Sequence, residues 1–279
     1  MAPDYYRKNS SYYIILSSSI YINLVKDLNK KRSITQMALL MRNQISLLVC
    51  DMAGTVINEK GIIYSSIKNT LNHLGFWSTN EDKKHWYGRD KTEVMREVIT
   101  NHITQSGTQW CNRKEDIESR VRQAEQNLIL ELEKNYFDNG QIELIDPELL
   151  DMFDNLRING IKIALNTGYP KRMQQKIVNH FGLDGRVDAY ISSEQVKMGR
   201  PAPYMIHHLM EECDIPSVSN VAKIGDTIND MREGKNAGCG LTIGVLTGAE
   251  KKEKLLKYGD VVVNKITDLR DDDLPVFLL

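Results

Sequence analysis

A doubly wound parallel α/β sheet carrying a helical insert is the fold this sequence predicts. Two observations carry that expectation. Short apolar runs of strand length alternate with helical patterns along residues 45–263. Between the first run and the second lie about a hundred residues of helical character with no comparable strand.

The first run is Ile45–Cys50, ending at Asp51, and its unbroken apolar character suits a strand buried on both faces. Ile161–Leu165 follows, ending at Asn166-Thr167-Gly168, and then Val221–Ile224, ending at Gly225-Asp226. Leu241–Val245 and the shorter Asp260–Val263 complete the strand set. Helical patterns fill the intervals. Pro147–Ile158 has Asp146 as its N-cap and proline at the first helical position. Pro170–Phe181, Pro203–Cys213, Asn229–Ala237 and Ala249–Tyr258 are the others. Strands that alternate with helices pair in parallel. Tyr64–Leu74, Lys91–His102 and Lys114–Phe137 read as helices of a small second unit, so residues 61–145 are expected to form a helical cap. The remaining core is 45–60 together with 146–279. The charged stretch Lys114–Phe137 is the ordinary solvated face of a helix.

Residues 1–44 differ from the rest. They hold seven bases against two acids, whereas the remainder holds 29 bases against 35 acids. The run Tyr12–Val25 is too short and too serine-rich for a span of about 20 apolar residues. The segment suits either an organelle-targeting leader or a poorly ordered extension, and no cleavage pattern decides between them. Over the whole chain 36 Lys and Arg oppose 37 Asp and Glu, which offers no global attraction for nucleic acid or an anionic membrane. Four widely spaced cysteines give neither a disulfide framework nor a zinc cluster, and fit a reducing, cytoplasmic compartment.

Ligands of open α/β sheets bind at the carboxyl ends of the strands, and three strand ends here carry groups suited to phosphate and a hard cation. Asp51 is a carboxylate that can attack phosphorus or ligate a metal, and Gly54 permits a tight turn against a ligand. Thr167 and Gly168 offer a hydroxyl and amides to phosphoryl oxygens. Asp226 and Asp230 stand one helical turn apart, and Mg2+ takes one or two carboxylates plus water and phosphate oxygen. Arg200 can balance the anion. Gly238-Cys239-Gly240 precedes a strand and does not open a helix, so it is no dinucleotide fingerprint.

Asp51-x-x-Gly54-Thr55, Thr167, Arg200 and Gly225-Asp226-x-x-x-Asp230, in that order over residues 45–270, resemble the four motifs of the haloacid dehalogenase superfamily. The resemblance implies a Rossmann-like core, Mg2+ and an aspartyl-phosphate intermediate with Asp51 as nucleophile. It implies Asp51, Asp226, Asp230 and the Ala53 carbonyl as metal ligands, Thr167 and Arg200 as phosphoryl-holding groups, and Gly54, Thr55, Gly168 and Tyr169 as substrate contacts. Capped relatives dimerise through the cap, so a homodimer is implied as well.

Ala53 replaces the second aspartate usual in phosphatases of the superfamily, and Gly199-Arg200-Pro201 supplies arginine where lysine is usual. Both features are similar to the phosphonoacetaldehyde hydrolase (phosphonatase) branch, as are Thr167-Gly168-Tyr169 and Lys223-Ile224-Gly225-Asp226-Thr227. Tyr87-Gly88-Arg89-Asp90-Lys91 resembles the cap segment of that branch, with Lys91 in register with its Schiff-base lysine. Tyr87 stands where a methionine is expected, and Val94 where the branch has a proton-handling histidine. Two roles for Lys91 stay open on the sequence: imine formation, or attraction of an anionic substrate. Three activities follow. The leading one is a Mg2+-dependent hydrolase of a small phosphonate or phosphorylated metabolite. The others are a monoester phosphatase without Schiff-base chemistry, and a weakly catalytic metabolite-binding protein.

Overall fold

The computed structural model describes residues 45–77, 83–105 and 114–270; the basic segment 1–44 lies outside the described residues. The sheet has six strands in the order β5-β4-β1-β6-β7-β8, every neighbouring pair parallel. The strands are β1 (Leu47–Asp51), β4 (Lys162–Thr167), β5 (Ala189–Ser192), β6 (Val221–Gly225), β7 (Leu241–Val245) and β8 (Val261–Val263). β1 and β6 are buried throughout, as strands covered on both faces must be. Successive residues point to opposite faces. Leu48 and Cys50 pack with Leu149, Phe153, Met173 and Ile177, whereas Leu47 and Val49 pack with Met205, Ile206 and Leu209. The first layer comes from α5 (Leu149–Ile158) and α6 (Lys171–His180). The second is α7 (Tyr204–Glu212), with α8 (Ile228–Ala237) beside it over β6 and β7.

Between β1 and β4 the chain leaves the sheet and returns through a two-residue antiparallel pair, β2 (Ile57–Asn58) with β3 (Glu143–Leu144). Outside that pair stand α1 (Ile62–His73), α2 (Lys83–Trp86), α3 (Lys91–Gln105) and α4 (Lys114–Glu133). Their inward residues recur at helical spacing: Ile63, Ile67 and Leu71; Val94, Met95, Ile99 and Ile103; Val121, Ala124, Leu128 and Leu132. Among the described residues, no helix is long and apolar enough to cross a membrane.

Several elements depart from the sequence expectation. β5 lies at the sheet edge with Tyr190 only half buried, so its four residues carry little apolar signal. The expected helix Lys114–Phe137 changes at Glu133 into one π-helical turn, Lys134–Asp138, which ends with Tyr136 fully buried. The expected helix Ala249–Tyr258 shrinks to α9 (Lys252–Leu256), because the amides of Ala249 and Glu250 bond to Asp226 instead. Asp146, expected as the N-cap, lies three residues ahead of α5, whose N-cap is Glu148; it takes the amide of Glu148 at 2.8 Å and also Thr267 Oγ1 at 2.9 Å. It therefore ties the helix entrance to the C-terminal part of the core.

Candidate active site

The sheet places Asp51, Asn166 and Thr167 side by side. Asp51 at the carboxyl end of β1 pairs in register with Asn166 on β4, and β6 on the other side of β1 runs into Asp226. A carboxylate at that position lies at the crevice where the strand order reverses. After Asp51 the chain turns back at once. Gly54 has φ +80° and its amide donates to the Ile57 carbonyl at 2.8 Å. A Cβ on Gly54 would stand 2.8 Å from Asp226 Oδ2, so only glycine lets this turn lie against the second carboxylate. Thr247 Oγ1 donates to the Gly54 carbonyl at 2.6 Å and pins the turn.

Asp51, Asp226 and Asp230 converge, with one oxygen from each within 4.8 Å of the others. Their surroundings differ. Asp51 Oδ1 lies 2.7 Å from Arg200 Nη1. Asp226 Oδ2 accepts from the Ala249 amide at 2.7 Å, while its buried Oδ1 has no hydrogen-bond partner among the described residues. Asp230 is fully buried, closes a capping box with Thr227, and lies 2.9 Å from Lys223 Nζ and 3.2 Å from Arg200 Nε. Burial pushes the Asp51 and Asp226 carboxyls up, Asp226 well up because Asp51 and Asp230 repel its charge. Burial also disfavours the Asp230 carboxylate, but Arg200 and Lys223 outweigh it and hold its pKa below the usual range.

These residues fit a divalent cation. Asp51, Asp226, Asp230 and Glu233 oppose Arg200 and Lys223 in one buried cluster, a formal charge of −2. Uncompensated buried charge is expensive, and one divalent ion would balance it. The partnerless oxygen of Asp226 is a free donor for such an ion.

Ala53, Gly54 and Asp226 line one cavity of about 250 Å³ with Glu59, Tyr64 and Tyr87. Thr55 is fully buried nearby in the chain, with its hydroxyl oxygen unpartnered among the described residues. Thr167 Oγ1 accepts from the Tyr169 amide at 3.2 Å, which holds the β4 loop in a tight turn. Tyr169 is turned to the interior. Its hydroxyl meets that of Tyr136 at 2.7 Å, and Tyr136 OH donates to Glu59 Oε2 at 3.3 Å. This buried chain joins both passages between core and helices to the β4 loop. Glu59 also accepts the amides of Gly61 and Ile63 at the start of α1.

Lys91 is brought to the same place from the helical side. Its amide donates to the Gly168 carbonyl at 3.1 Å. Its Nζ donates to the Arg89 carbonyl at 3.0 Å and stands 5.0 Å from the Tyr64 ring centroid. Burial lowers the Lys91 pKa to about 8, against the pull of Asp51. A Cβ on Gly168 would sit 2.3 Å from the Arg89 carbonyl oxygen, so the absence of a side chain there lets segment 87–91 dock. Gly168→Ala should therefore impair turnover by on the order of tenfold or more while costing the fold little. Steady-state kinetics beside a thermal melt will check this; equal losses in both would place the glycine's role in the core.

The sequence reading passed over Lys223, Asn166 as a side chain, and Glu233, all three of them fully buried around Arg200. One signal could have found the lysine. A lysine inside a central strand of a parallel sheet has no solvent face and must be paired.

The family model described as haloacid dehalogenase-like hydrolase matches residues 45–238. The chain belongs to that family. The phosphonoacetaldehyde hydrolase of Parabacteroides distasonis is 42% identical to this hydrolase-family chain over 106 residues, 38% of this chain and 40% of the relative. The phosphonoacetaldehyde hydrolase of Latilactobacillus sakei is 39% identical over 119 residues, 40% of this chain and 44% of the relative. The matched stretch thus spans less than half the length of these relatives. Among solved structures, a phosphonoacetaldehyde hydrolase-like protein from Oleispira antarctica superposes with a TM-score of 0.66 at 21% identity, covering 84% of this chain and 92% of its own. A β-phosphoglucomutase from Clostridium difficile gives 0.65 at 15% identity, covering 82% and 94%. At these identities the structural matches establish the family fold.

Proposed function

We propose that this chain is a Mg2+-dependent phosphonatase-like hydrolase that acts on a small phosphonate or phosphorylated metabolite through an aspartyl phosphate on Asp51. One observation carries the reading. Lys91 is buried, its pKa is lowered to about 8, and it lies within electrostatic reach of both Asp51 and Arg200. An amine whose pKa is lowered, within electrostatic reach of a carboxylate and a guanidinium, suits a substrate that carries an aldehyde at one end and phosphorus at the other.

On this reading residues 61–145 are the cap, and 45–60 with 146–279 the core. Lys91 Nζ adds to the aldehyde carbon, water leaves, and the resulting iminium draws electrons from the C–P bond. Asp51 attacks phosphorus as that bond breaks, and the bonding pair passes to nitrogen as an enamine. Water then hydrolyses the aspartyl phosphate. The enamine takes a proton at carbon, and hydrolysis of the imine frees Lys91. Arg200, with the Thr167 hydroxyl and the amide of Gly168, holds the phosphoryl oxygens. Asp51, Asp226 and the Ala53 carbonyl would hold Mg2+, with Asp230 behind them; bound Mg2+ supplies Lewis-acid stabilisation of phosphoryl charge. Docking of segment 87–91 on Gly168 excludes bulk water from the iminium.

A second reading is phosphate monoester hydrolysis, with Lys91 serving as a fixed positive charge. Val94 favours it: position 94 is buried and carries no group to move protons. Phosphate release from phosphonoacetaldehyde and from a panel of small phosphate monoesters, with Mg2+ present, tests the two. Release from the phosphonate supports the first; release from monoesters alone supports the second; no release from any compound overturns both.

The two readings predict opposite pH dependences. Only neutral Lys91 forms an imine, so kcat/KM for the phosphonate should rise with pH and level off above about 8. A lysine acting by charge loses its effect as pH rises through about 8, so monoester turnover should fall there. Initial rates between pH 6 and 9.5 with each substrate class will give the sign.

A further inference from the structure

Arg200 is gripped on two sides. Its Nε lies 3.0 Å from Glu233 Oε2, closer than Asp230 Oδ1 at 3.2 Å. Its Nη2 donates to Asn166 Oδ1 at 2.6 Å and to the Asn166 carbonyl at 2.8 Å. Asn166 Nδ2 donates in turn to both Glu233 oxygens, at 3.0 and 2.9 Å. Lys223 Nζ donates to Asn166 Oδ1 at 2.9 Å and stands 3.6 Å from Glu233 Oε2. A guanidinium is planar, so fixing two of its nitrogens fixes the direction of the third. The third here is Nη1, at 2.7 Å from Asp51 Oδ1.

We infer that Glu233 is a positioning residue, which sets the plane of the Arg200 guanidinium so that Nη1 faces Asp51 and the phosphoryl group. This deepens the proposed reaction and rests on it. Glu233 lies one turn beyond Asp230 on α8 and is fully buried. Among the described residues it bonds or ion-pairs with Asn166, Arg200 and Lys223, so its influence on Asp51 runs through Arg200. Lys223 already has Asp230 at 2.9 Å, closer than Glu233 at 3.6 Å. The nearest cation to Glu233 is therefore Arg200, and simple neutralisation of Lys223 does not account for its placement.

A double-mutant cycle tests the inference. Glu233→Gln keeps the shape and removes the charge; Glu233→Asp keeps the charge and withdraws the oxygens. Each should lower kcat by about 10- to 100-fold and change KM by less than about threefold. In an Arg200→Lys background, Glu233→Gln should change kcat by less than about threefold, because no guanidinium remains to be oriented. Equal fold losses in both backgrounds, or full activity in Glu233→Asp, would overturn the role. Inorganic phosphate affinity, measured by calorimetry with Mg2+ on the same proteins, repeats the cycle without turnover. The same non-additivity is expected there, and independent effects on affinity would overturn the role as well. Asp51→Asn run alongside separates the two ideas: undiminished turnover in that variant would refute the reaction, while the phosphate-affinity cycle still judges Glu233.

Discussion

Asp51→Asn should lower phosphate release from every substrate by on the order of 10⁴-fold or more. The replacement keeps the size of the side chain and removes the carboxylate that stands 2.7 Å from Arg200 Nη1. It should not unfold the protein. Burial holds the folded-state pKa of Asp51 above its unfolded value, so the carboxylate form costs stability at any pH above the unfolded pKa. An amide removes that cost, and the melting temperature without metal should hold or rise. The rise in melting temperature on adding Mg2+ should shrink, because one of the three converging carboxylates is gone. Phosphate-release assays and thermal melts with and without Mg2+ will check both parts. A variant that turns over normally would remove Asp51 from the chemistry.

Lys91→Ala carries the second large effect, and it should split the substrates. Turnover of phosphonoacetaldehyde should fall by about 10³-fold or more, since the amine proposed to form the imine is gone. Monoester turnover should fall by only about tenfold, the scale of one lost charge near the phosphoryl group. Lys91→Arg sharpens the contrast: arginine keeps the charge but forms no imine under these conditions, so monoester activity should return and phosphonate activity should not. Parallel kcat/KM values for both substrate classes in the three proteins give the answer. Equal losses in both classes would mean that Lys91 acts by charge alone.

The frame of the candidate site was legible because polar residues directly after apolar strands mark the carboxyl ends of a parallel sheet, where ligands bind. Asp51, Asp226 and the Thr167-Gly168 turn all lie at strand ends on one side of the sheet, as expected from their sequence. What the sequence hid depends on long-range pairing. Lys223 reads as an ordinary polar position of a half-exposed strand until β6 is known to lie between β1 and β7. Glu233 reads as helix surface until α8 is laid against Asn166 and Arg200. Tyr169 reads as a substrate contact from its motif, yet its hydroxyl is bonded to Tyr136, which one π-helical turn carries inward from the end of α4. No local pattern announces that turn. α9 starts later than its pattern predicts for a related reason: Asp226 draws the amides of Ala249 and Glu250 to the site and delays the helix.

The most direct test of the account is reductive trapping. Borohydride added during turnover of phosphonoacetaldehyde reduces an imine to a stable amine on the residue that formed it. Peptide mass spectrometry should find the substrate- or product-derived alkyl group on Lys91, together with loss of activity. Monoester hydrolysis with no adduct on Lys91 after phosphonoacetaldehyde and borohydride would contradict it, and would leave Lys91 with an electrostatic role only.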